Sequence, residues 1–527
     1  MNSAGSIPTV IDATVRCPVP MLAAIGLAAG AGIAAALPWG AGVSPDSVVY
    51  ITAARNLAAG RGLSVALDAG SFVRLAHYPP LYPATLAAPS VFGADPLVTA
   101  RWLGAALFAA NTVLTGCLAF LASRSRAASL AAALLFLAAP PMVMAHTMAW
   151  SEPLFIAFVL CAIISLSAYL QMPRPWLLMA AAAAAALAFL TRYAGAAIVL
   201  AGIIALAWKG PPEWRQRLKV AAMFALGAAF PGAVWLMRNR LVAGTAADRL
   251  IMFHPPDAAM LARGLELAAS WFFPLPAPTG TALLGMLALV CAYPALMRRW
   301  AAAPVEAGRC AVNTITTLWI VCYSSVVLAS ISFLDQEIPL DSRMLAPLYP
   351  TLVAPVVALW SAAIRHDRSR LSVVGVALVS VVLCSEAAAS MPWIVLARRE
   401  GIGYASRSWR ASPLAGRLVE LGRAPVFSNA PEAVYLVTGL SAVSLPAKID
   451  PRTRAPNPDY AEAVAAVGRR LSAEGGVLAY FKAVSWRWYL PPETELVTVL
   501  GLRPLAREVD GTVYEVSGAT AAQKAGS

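Results

Sequence analysis

GVSPDSVVYITAARNLAAGRGLS, residues 42 to 64, follows the first long apolar run of the chain and is much too polar to cross a membrane. Ser44 is a good helix N-cap and Pro45 suits the first helical position, which leaves Asp46 in the first turn, where its charge complements the helix dipole. Val49, Ile51, Ala53, Ala54 and Leu57 supply an apolar face for a helix lying in the bilayer interface, and Gly60 or Gly62 ends it. On local physics alone Asp46 is a surface carboxylate that complements a dipole. Further along comes HYPPLYP, residues 77 to 83, whose prolines predict a stiff, extended path holding His77, Tyr78 and Tyr82 at fixed places near the headgroups.

The surrounding chain is that of a membrane protein. Of its 527 residues 59% are hydrophobic and 13% charged, and the mean hydropathy of +0.68 is outside the range of soluble domains. The net charge of +13 comes from basic residues scattered between apolar runs, without the stripe or aromatic-interleaved patch of a nucleic-acid binder. The seven cysteines form no C-x-x-C pair, so neither a disulfide framework nor a zinc site is indicated. The first apolar stretch lacks a clear cleavage site and reads as a retained helix.

Apolar runs divide the chain into eleven expected spans: 20–38, 97–121, 127–145, 152–170, 176–191, 193–208, 219–237, 280–297, 311–333, 343–362 and 371–391. The fold class is thus a polytopic α-helical membrane protein of about eleven transmembrane helices. With the N-terminus inside, every inner loop is basic: Arg124 and Arg126; Arg174; Lys209, Arg215, Arg217 and Lys219; Arg298, Arg299 and Arg309; Arg365, Arg368 and Arg370. The outer connections HTMAWS (146–151) and LDQEIPLDS (334–342) carry no Lys or Arg, and the third holds only Arg192. Three longer segments fall outside: 39–96, 238–279 and the tail 392–527. The tail alternates strand-like runs (APVFS, AVYLV, GVLAYF, GTVYEV) with a helical stretch, YAEAVAAVGRRLSAEG. Residues 1–391 therefore read as the transmembrane domain, and 392–527 as a small α/β domain, periplasmic or extracellular.

Asp46, Tyr50, Ala54, Asn56, Leu57, Gly60 and Gly62 in their spacing, then HYPPLYP, SEPLF (151–155), TRYAG (191–195), RNRLVAG (238–244) and SRMLAPLYP (342–350), form an ordered set of motifs. Together they resemble the lipid-carrier-dependent glycosyltransferases of the GT-C fold, specifically family 39 protein-mannosyltransferase-like and aminoarabinose-transferase-like enzymes, over roughly residues 20 to 390. The resemblance implies transfer of a sugar from a polyprenyl-phosphate carrier to an acceptor at the outer face, with the first-loop Asp at the catalytic centre. Phosphate is already a good leaving group, so an inverting transfer needs a base for the acceptor hydroxyl and cations for the phosphate, not a glycosidase's acid and base pair. Asp46 fits the base. The chain departs from the mannosyltransferase Asp-Glu in having Ser47. It also has His77 and Tyr78 where the aminoarabinose transferase has Glu-Lys before the prolines.

Glu152 matches the family's acidic position at the start of the fourth span, and also reads as a helix N-terminal charge after Ser151. Arg192, between two apolar runs, and Arg343 are candidate phosphate ligands, because an interfacial Arg must snorkel or find a partner. Arg238 and Arg240 suit either the carrier phosphate or lipid headgroups. Tyr50, His77, Tyr78 and Tyr82 complete the candidate substrate contacts. His77, His146 and His254 could hold a divalent ion with Asp46 or Glu152, although interfacial polarity explains them as well and no cofactor is required. Trp271, Phe272 and Phe273 read as an aromatic belt.

No D-x-D and no dinucleotide-type glycine loop appears, which disfavours direct use of a nucleotide sugar. The rival classes are a lipid-linked-sugar transporter or flippase, and a catalytically silent scaffold. Mid-span positions nearly free of ionisable residues disfavour the first, and an intact Asp46 disfavours the second. The expected acceptor is a glycolipid, polysaccharide or protein, and the expected setting a bacterial inner membrane.

Overall fold

A computed structural model describes residues 16–68, 71–272, 306–334, 338–366 and 370–517. The helices are Val19–Ala36 (α1), Pro45–Ala58 (α2), Leu81–Ala87 (α3), Pro96–Ser123 (α4), Arg126–Ala138 (α5), Pro140–Thr147 (α6), Glu152–Gln171 (α7), Pro175–Thr191 (α8), Ala196–Lys209 (α9), Trp214–Ala243 (α10) and Ala258–Ser270 (α11). Beyond these lie Glu306–Phe333, Ser342–Leu345, Tyr349–His366 and Arg370–Arg399. A hairpin of Ser64–Asp68 (β1) and Ser71–Arg74 (β2) comes after α2. Among the described residues 7 helices are long and apolar enough to cross a membrane, or 8 with α5 and α6 taken as one bent span. The chain is a multi-pass membrane protein.

Every expected span falls on a helix except 280–297, which lies outside the described residues. Two of them, α8 and the stretch Tyr193–Lys209, are shorter apolar helices that fall below the length of a full span. The expected span 127–145 bends by 60° between α5 and α6. Pro140 lacks an amide proton and pushes Ala139 into the extended region, which breaks the hydrogen-bond ladder there. The last long helix runs on to Arg399, past the expected end at 391.

Close helix contact needs small residues. In α1, Gly26 and Gly30 are four apart and face α4, where an added Cβ would come within 2.7 Å of the Ala109 and Ala105 carbonyl oxygens. The apolar side chains left exposed, such as Leu27, Trp102, Met179, Leu226 and Phe230, fit a lipid-facing surface.

Some expectations fail for identifiable reasons. The helix α2 is capped by Ser44 as expected, with a reciprocal Ser44–Ser47 capping box and Pro45 at its start. It does not lie free on the bilayer: Val48, Tyr50, Ile51 and Ala54 are buried in a cluster shared with Tyr82, Leu414 and Val426, so protein covers both its sides. The extended path of HYPPLYP ends at Pro80, which opens α3, and Tyr82 is helical. Trp271 does not stand in an aromatic belt; it is 2% exposed and its ring packs edge-on to Tyr349, while Phe273 lies outside the described residues.

After Arg399 the chain forms a five-stranded sheet of order β4-β3-β5-β7-β6, with β3 Val426–Ser428, β4 Ala442–Ser444, β5 Val477–Phe481, β6 Leu502–Glu508 and β7 Gly511–Val516. β3 pairs parallel with β4 and β5, and β7 pairs antiparallel with β5 and β6. The expected strand AVYLV is instead a helix, Pro431–Thr438. Pro431 starts it, Glu432 complements its dipole and Gly439 closes it in the left-handed region.

The close α1–α4 contact generates an expected outcome. Gly30→Leu should cost about 1 to 3 kcal/mol and lower the thermal unfolding midpoint in detergent. Gly32→Ala, inside the same helix where nothing lies within 4 Å of an added Cβ, should not lower it. Equal midpoints for the two variants would contradict the packing.

Candidate functional site

Asp46 is the second residue of α2, fixed there by the Ser44 cap and Pro45. Its carboxylate accepts a hydrogen bond from the Tyr78 hydroxyl at 2.7 Å and one from Arg343 Nη1 at 2.5 Å. Tyr78 is held in turn by edge-on packing against Tyr50, with ring centroids 4.9 Å apart, and Tyr50 packs likewise on Tyr82 at 5.1 Å. The proline-fixed turn before α3 thus brings Tyr78 onto the carboxylate, with Tyr50 and Tyr82 packed in series behind it.

Glu152 opens α7, and its Oε1 accepts from Arg192 Nη1 at 2.6 Å and from Arg343 Nε. Arg343, at the start of the short helix Ser342–Leu345, therefore joins both carboxylates through one planar guanidinium. The side chains of Asp46, Arg343, Arg192 and Glu152 are 33%, 22%, 17% and 0% exposed respectively, so the constellation opens at Asp46 and closes at Glu152. Two buried atoms at its closed end, Arg192 Nε and Glu152 Oε2, lack hydrogen-bond partners. Ser151 Oγ accepts from Arg192 at 3.2 Å and lies 3.4 Å from the Tyr50 hydroxyl.

Trp150 is not among the residues that the sequence singles out. Its indole N–H donates to Ser44 Oγ, the cap of α2, at 2.9 Å, and its ring lies 4.5 Å from the Arg343 guanidinium carbon. The signal was available as a Trp immediately before the Ser-Glu that opens a span. Tyr193, inside the quoted TRYAG, is a second omission. Its hydroxyl donates to the Ala76 carbonyl at 2.8 Å and accepts from Trp235 at 3.2 Å, tying α10 to the turn that carries Tyr78.

The other candidates stand apart from the two carboxylates. His77 lies against Tyr78 (4.7 Å between ring centroids) and contacts the Asp248 carbonyl at 3.1 Å and carboxylate at 3.8 Å. Arg238 donates to the Leu75 carbonyl at 3.0 Å and stacks on Trp235. Arg240 is turned to the Gly244 carbonyl at 2.9 Å, capping its own helix rather than meeting Asp46. The three histidines do not converge with the carboxylates: His146 is buried against Asn111 and the Met142 carbonyl, and His254 meets the Leu334 carbonyl. Among the described residues no three His, Cys, Asp or Glu groups are placed to hold a metal ion.

Burial alone would raise the pKa of Asp46. The adjacent Arg343 charge and hydrogen bond, helped by Tyr78 and Arg192, outweigh it and hold the carboxyl below the ordinary range. The same surroundings keep the tyrosines neutral: Tyr50 is pushed up to about 12 by burial and by Asp46, and Tyr78 rises for the same two reasons. His77 is pushed down by burial and by Arg249, and so disfavours a charged imidazolium beside the site. The arrangement offers an ionised carboxylate open on one side, two guanidiniums behind it and a wall of neutral aromatics.

Residues 50–228 match the family model for dolichyl-phosphate-mannose-protein mannosyltransferase. No curated protein sequence matches the chain. Among solved structures the chain is similar to ArnT from Cupriavidus metallidurans bound to undecaprenyl phosphate, with 15% identity and a TM-score of 0.56 over 95% of this chain and 98% of that one. The apo state of the same protein gives 15% identity and a TM-score of 0.59 over 94% and 97%. The Archaeoglobus fulgidus oligosaccharyltransferase complex with Zn and sulfate gives 11% identity and 0.53 over 87% and 68%. Matched nearly end to end, with the motif-bearing helices and the C-terminal sheet both included, the chain has the GT-C membrane fold.

Proposed function

We propose that this chain transfers a sugar from a polyprenyl-phosphate carrier to an acceptor at the outer face of a bacterial inner membrane, with inversion, Asp46 serving as the base. The observation that carries the reading is the Arg343 guanidinium shared between Asp46 and Glu152, which couples a partly open carboxylate to a cationic pair. Two likenesses support it: the mannosyltransferase family model over residues 50–228, and the fold held in common with a protein solved with undecaprenyl phosphate.

In this reaction the acceptor oxygen attacks the anomeric carbon while its proton passes to an Asp46 oxygen. The bond from that carbon to the phosphate oxygen breaks, with its electron pair leaving on the phosphate. Charge stays balanced throughout. Asp46, Glu152, Arg192 and Arg343 sum to zero, so with a donor diester of one negative charge the whole carries one negative charge. After transfer Asp46 is neutral, the four groups carry one positive charge, and the phosphate leaves with one negative charge more. Arg343 also links the two halves of the reaction. When it turns toward the donor phosphate its hold on Asp46 loosens, and the carboxylate becomes a stronger base while the donor is present. Glu152, fully buried, keeps both guanidiniums charged and aimed. The acceptor is a glycolipid, polysaccharide or protein, and no cofactor is needed because phosphate departs without one.

Asp46→Asn keeps shape and hydrogen bonding but removes the proton acceptor, so transfer should fall roughly 100-fold or more at matched membrane abundance. The readout is mass spectrometry of envelope glycans from a strain carrying the variant alone. Near-parental transfer would remove Asp46 from the chemistry. The depressed pKa also sets a sign. In kcat/KM, which reports the donor-free chain, the Asp46 carboxylate should remain active below the ordinary carboxylate range, and Arg343→Gln should move the acid limb of that profile to higher pH.

Arg343→Lys keeps a charge but cannot reach both carboxylates with a planar fork, so transfer should drop markedly, and Arg192→Lys should behave similarly. Parental rates in both would mark these residues as membrane anchors only. The topology is checked with a reporter active only in the periplasm, fused after residue 399 and separately within 298–310. Activity of the first fusion alone is expected, and the reverse would move the site to the other face.

A further inference from the structure

Three segments distant in sequence meet as a small parallel ladder just before the site. Gly42 N–H donates to the Thr147 carbonyl at 2.9 Å, and Ala149 N–H returns to the Gly42 carbonyl at 2.8 Å. On the other edge Val43 N–H donates to the Ile402 carbonyl at 3.2 Å, and Tyr404 N–H to the Val43 carbonyl at 2.8 Å. Gly42 pairs with Met148 and Val43 with Gly403, both parallel. The central strand therefore has the α6–α7 link on one side and the entry to the C-terminal domain on the other.

Each strand leads directly into a part of the site or its support. The central strand passes straight into Ser44, the cap of α2, and so to Asp46. The 147–149 strand passes into Trp150, Ser151 and then Glu152 at the head of α7. Two helices that present the carboxylates of the site thus start from adjacent, hydrogen-bonded strands, and Trp150 ties them again through Ser44. The third strand is the C-terminal domain's contribution. It has no room to spare: a Cβ on Gly403 would sit 2.0 Å from the Val43 carbonyl oxygen, and φ there is +60°. A Cβ on Gly42 would meet Met148 Sδ at 2.3 Å and Ile402 Cβ at 2.9 Å.

We infer that Gly403 and Gly42 are positioning residues, and that segment 402–404 makes the C-terminal domain part of the active site by fixing where α2 and α7 begin and hence how Asp46 and Glu152 share Arg343. This deepens the function proposed above and rests on its choice of Asp46 as the base. Misplacing the start of α2 by even about 1 Å pulls Asp46 off the guanidinium, and distortion of that size is costly to a reacting geometry. The groups facing Asp46 are Arg343, Tyr78 and Arg192 from other segments and Tyr50 from its own helix, with His77 farther off behind Tyr78 but still within reach of its charge.

The test reads the ion pair directly and needs no sugar donor. Dicyclohexylcarbodiimide modifies protonated carboxyls, so its pH-dependent labelling of the Asp46 peptide, followed by mass spectrometry on the full chain in detergent, reports the protonation midpoint. Hydrogen exchange at the Val43 and Tyr404 amides reports whether the ladder is open. The parent chain should label only below the ordinary Asp range of about 4. Gly403→Ala should expose both amides and raise the labelling midpoint by about one pH unit, a tenfold change in proton affinity. Gly42→Ala, which presses mainly on the flexible end of Met148, should produce a smaller rise and serves if Gly403→Ala does not fold. Loss of amide protection with an unchanged midpoint would overturn the inference. Absence of sugar transfer by the parent chain would instead count against the proposed function and leave this result standing.

Discussion

One guanidinium between two carboxylates organises the site. Arg343 comes from the start of a short helix late in the chain, Asp46 from the first long connection and Glu152 from the head of α7. A buried charge left without a partner is strongly destabilising, whereas a paired and hydrogen-bonded one is tolerated. Glu152 is fully buried and meets two guanidiniums, one more positive charge than it can balance, and Asp46 balances the second. The elements around it can be read as the means of holding this arrangement: the Ser44 cap, the Trp150 bridge, the three packed tyrosines and the short parallel ladder.

Such a site differs from a metal centre in how it responds to charge. A guanidinium that already serves two carboxylates can be redistributed toward a phosphate, while a rigid cation would keep its full field on the base. The depressed pKa of Asp46 describes the arrangement without a donor, and the tyrosines beside it stay neutral and add no negative charge. Glu152 Oε2 and Arg192 Nε remain without partners at the closed end, so the buried polar set is not exhausted by its internal bonds.

Much of the fold was legible because hydropathy reports length and apolarity directly. Within the described residues the apolar runs landed on helices, and Ser44 with Pro45 gave the start of α2 correctly. The failures have physical causes. The apolar face of α2 suited a lipid surface, but sequence cannot say whether lipid or protein covers such a face, and here Tyr82 and the C-terminal domain do. AVYLV has strand-like side chains, yet Pro431 and Gly439 at its flanks outweighed them. Of the site, Asp46, Glu152, Arg192 and Arg343 were named individually, but their mutual bonds could not be read because sequence spacing carries no information about contacts across 191 or 297 residues. Trp150 was missed for a similar reason: its place directly before Ser-Glu was visible, but its partners, Ser44 at 106 residues away and Arg343, could not be read from spacing.

Those separations bear on how the protein is made. Glu152 and Arg192 lie only 40 residues apart, at facing ends of the α7–α8 hairpin, so the first carboxylate and its cation can enter the bilayer together as a neutral unit. Asp46 waits far longer, since its partner Arg343 is synthesised 297 residues later. Its place on a polar connection, in contact with water, makes that delay tolerable. The charge that ends up buried deepest is the one neutralised earliest during synthesis, and the more exposed charge of Asp46 finds its partner only when the last helices arrive.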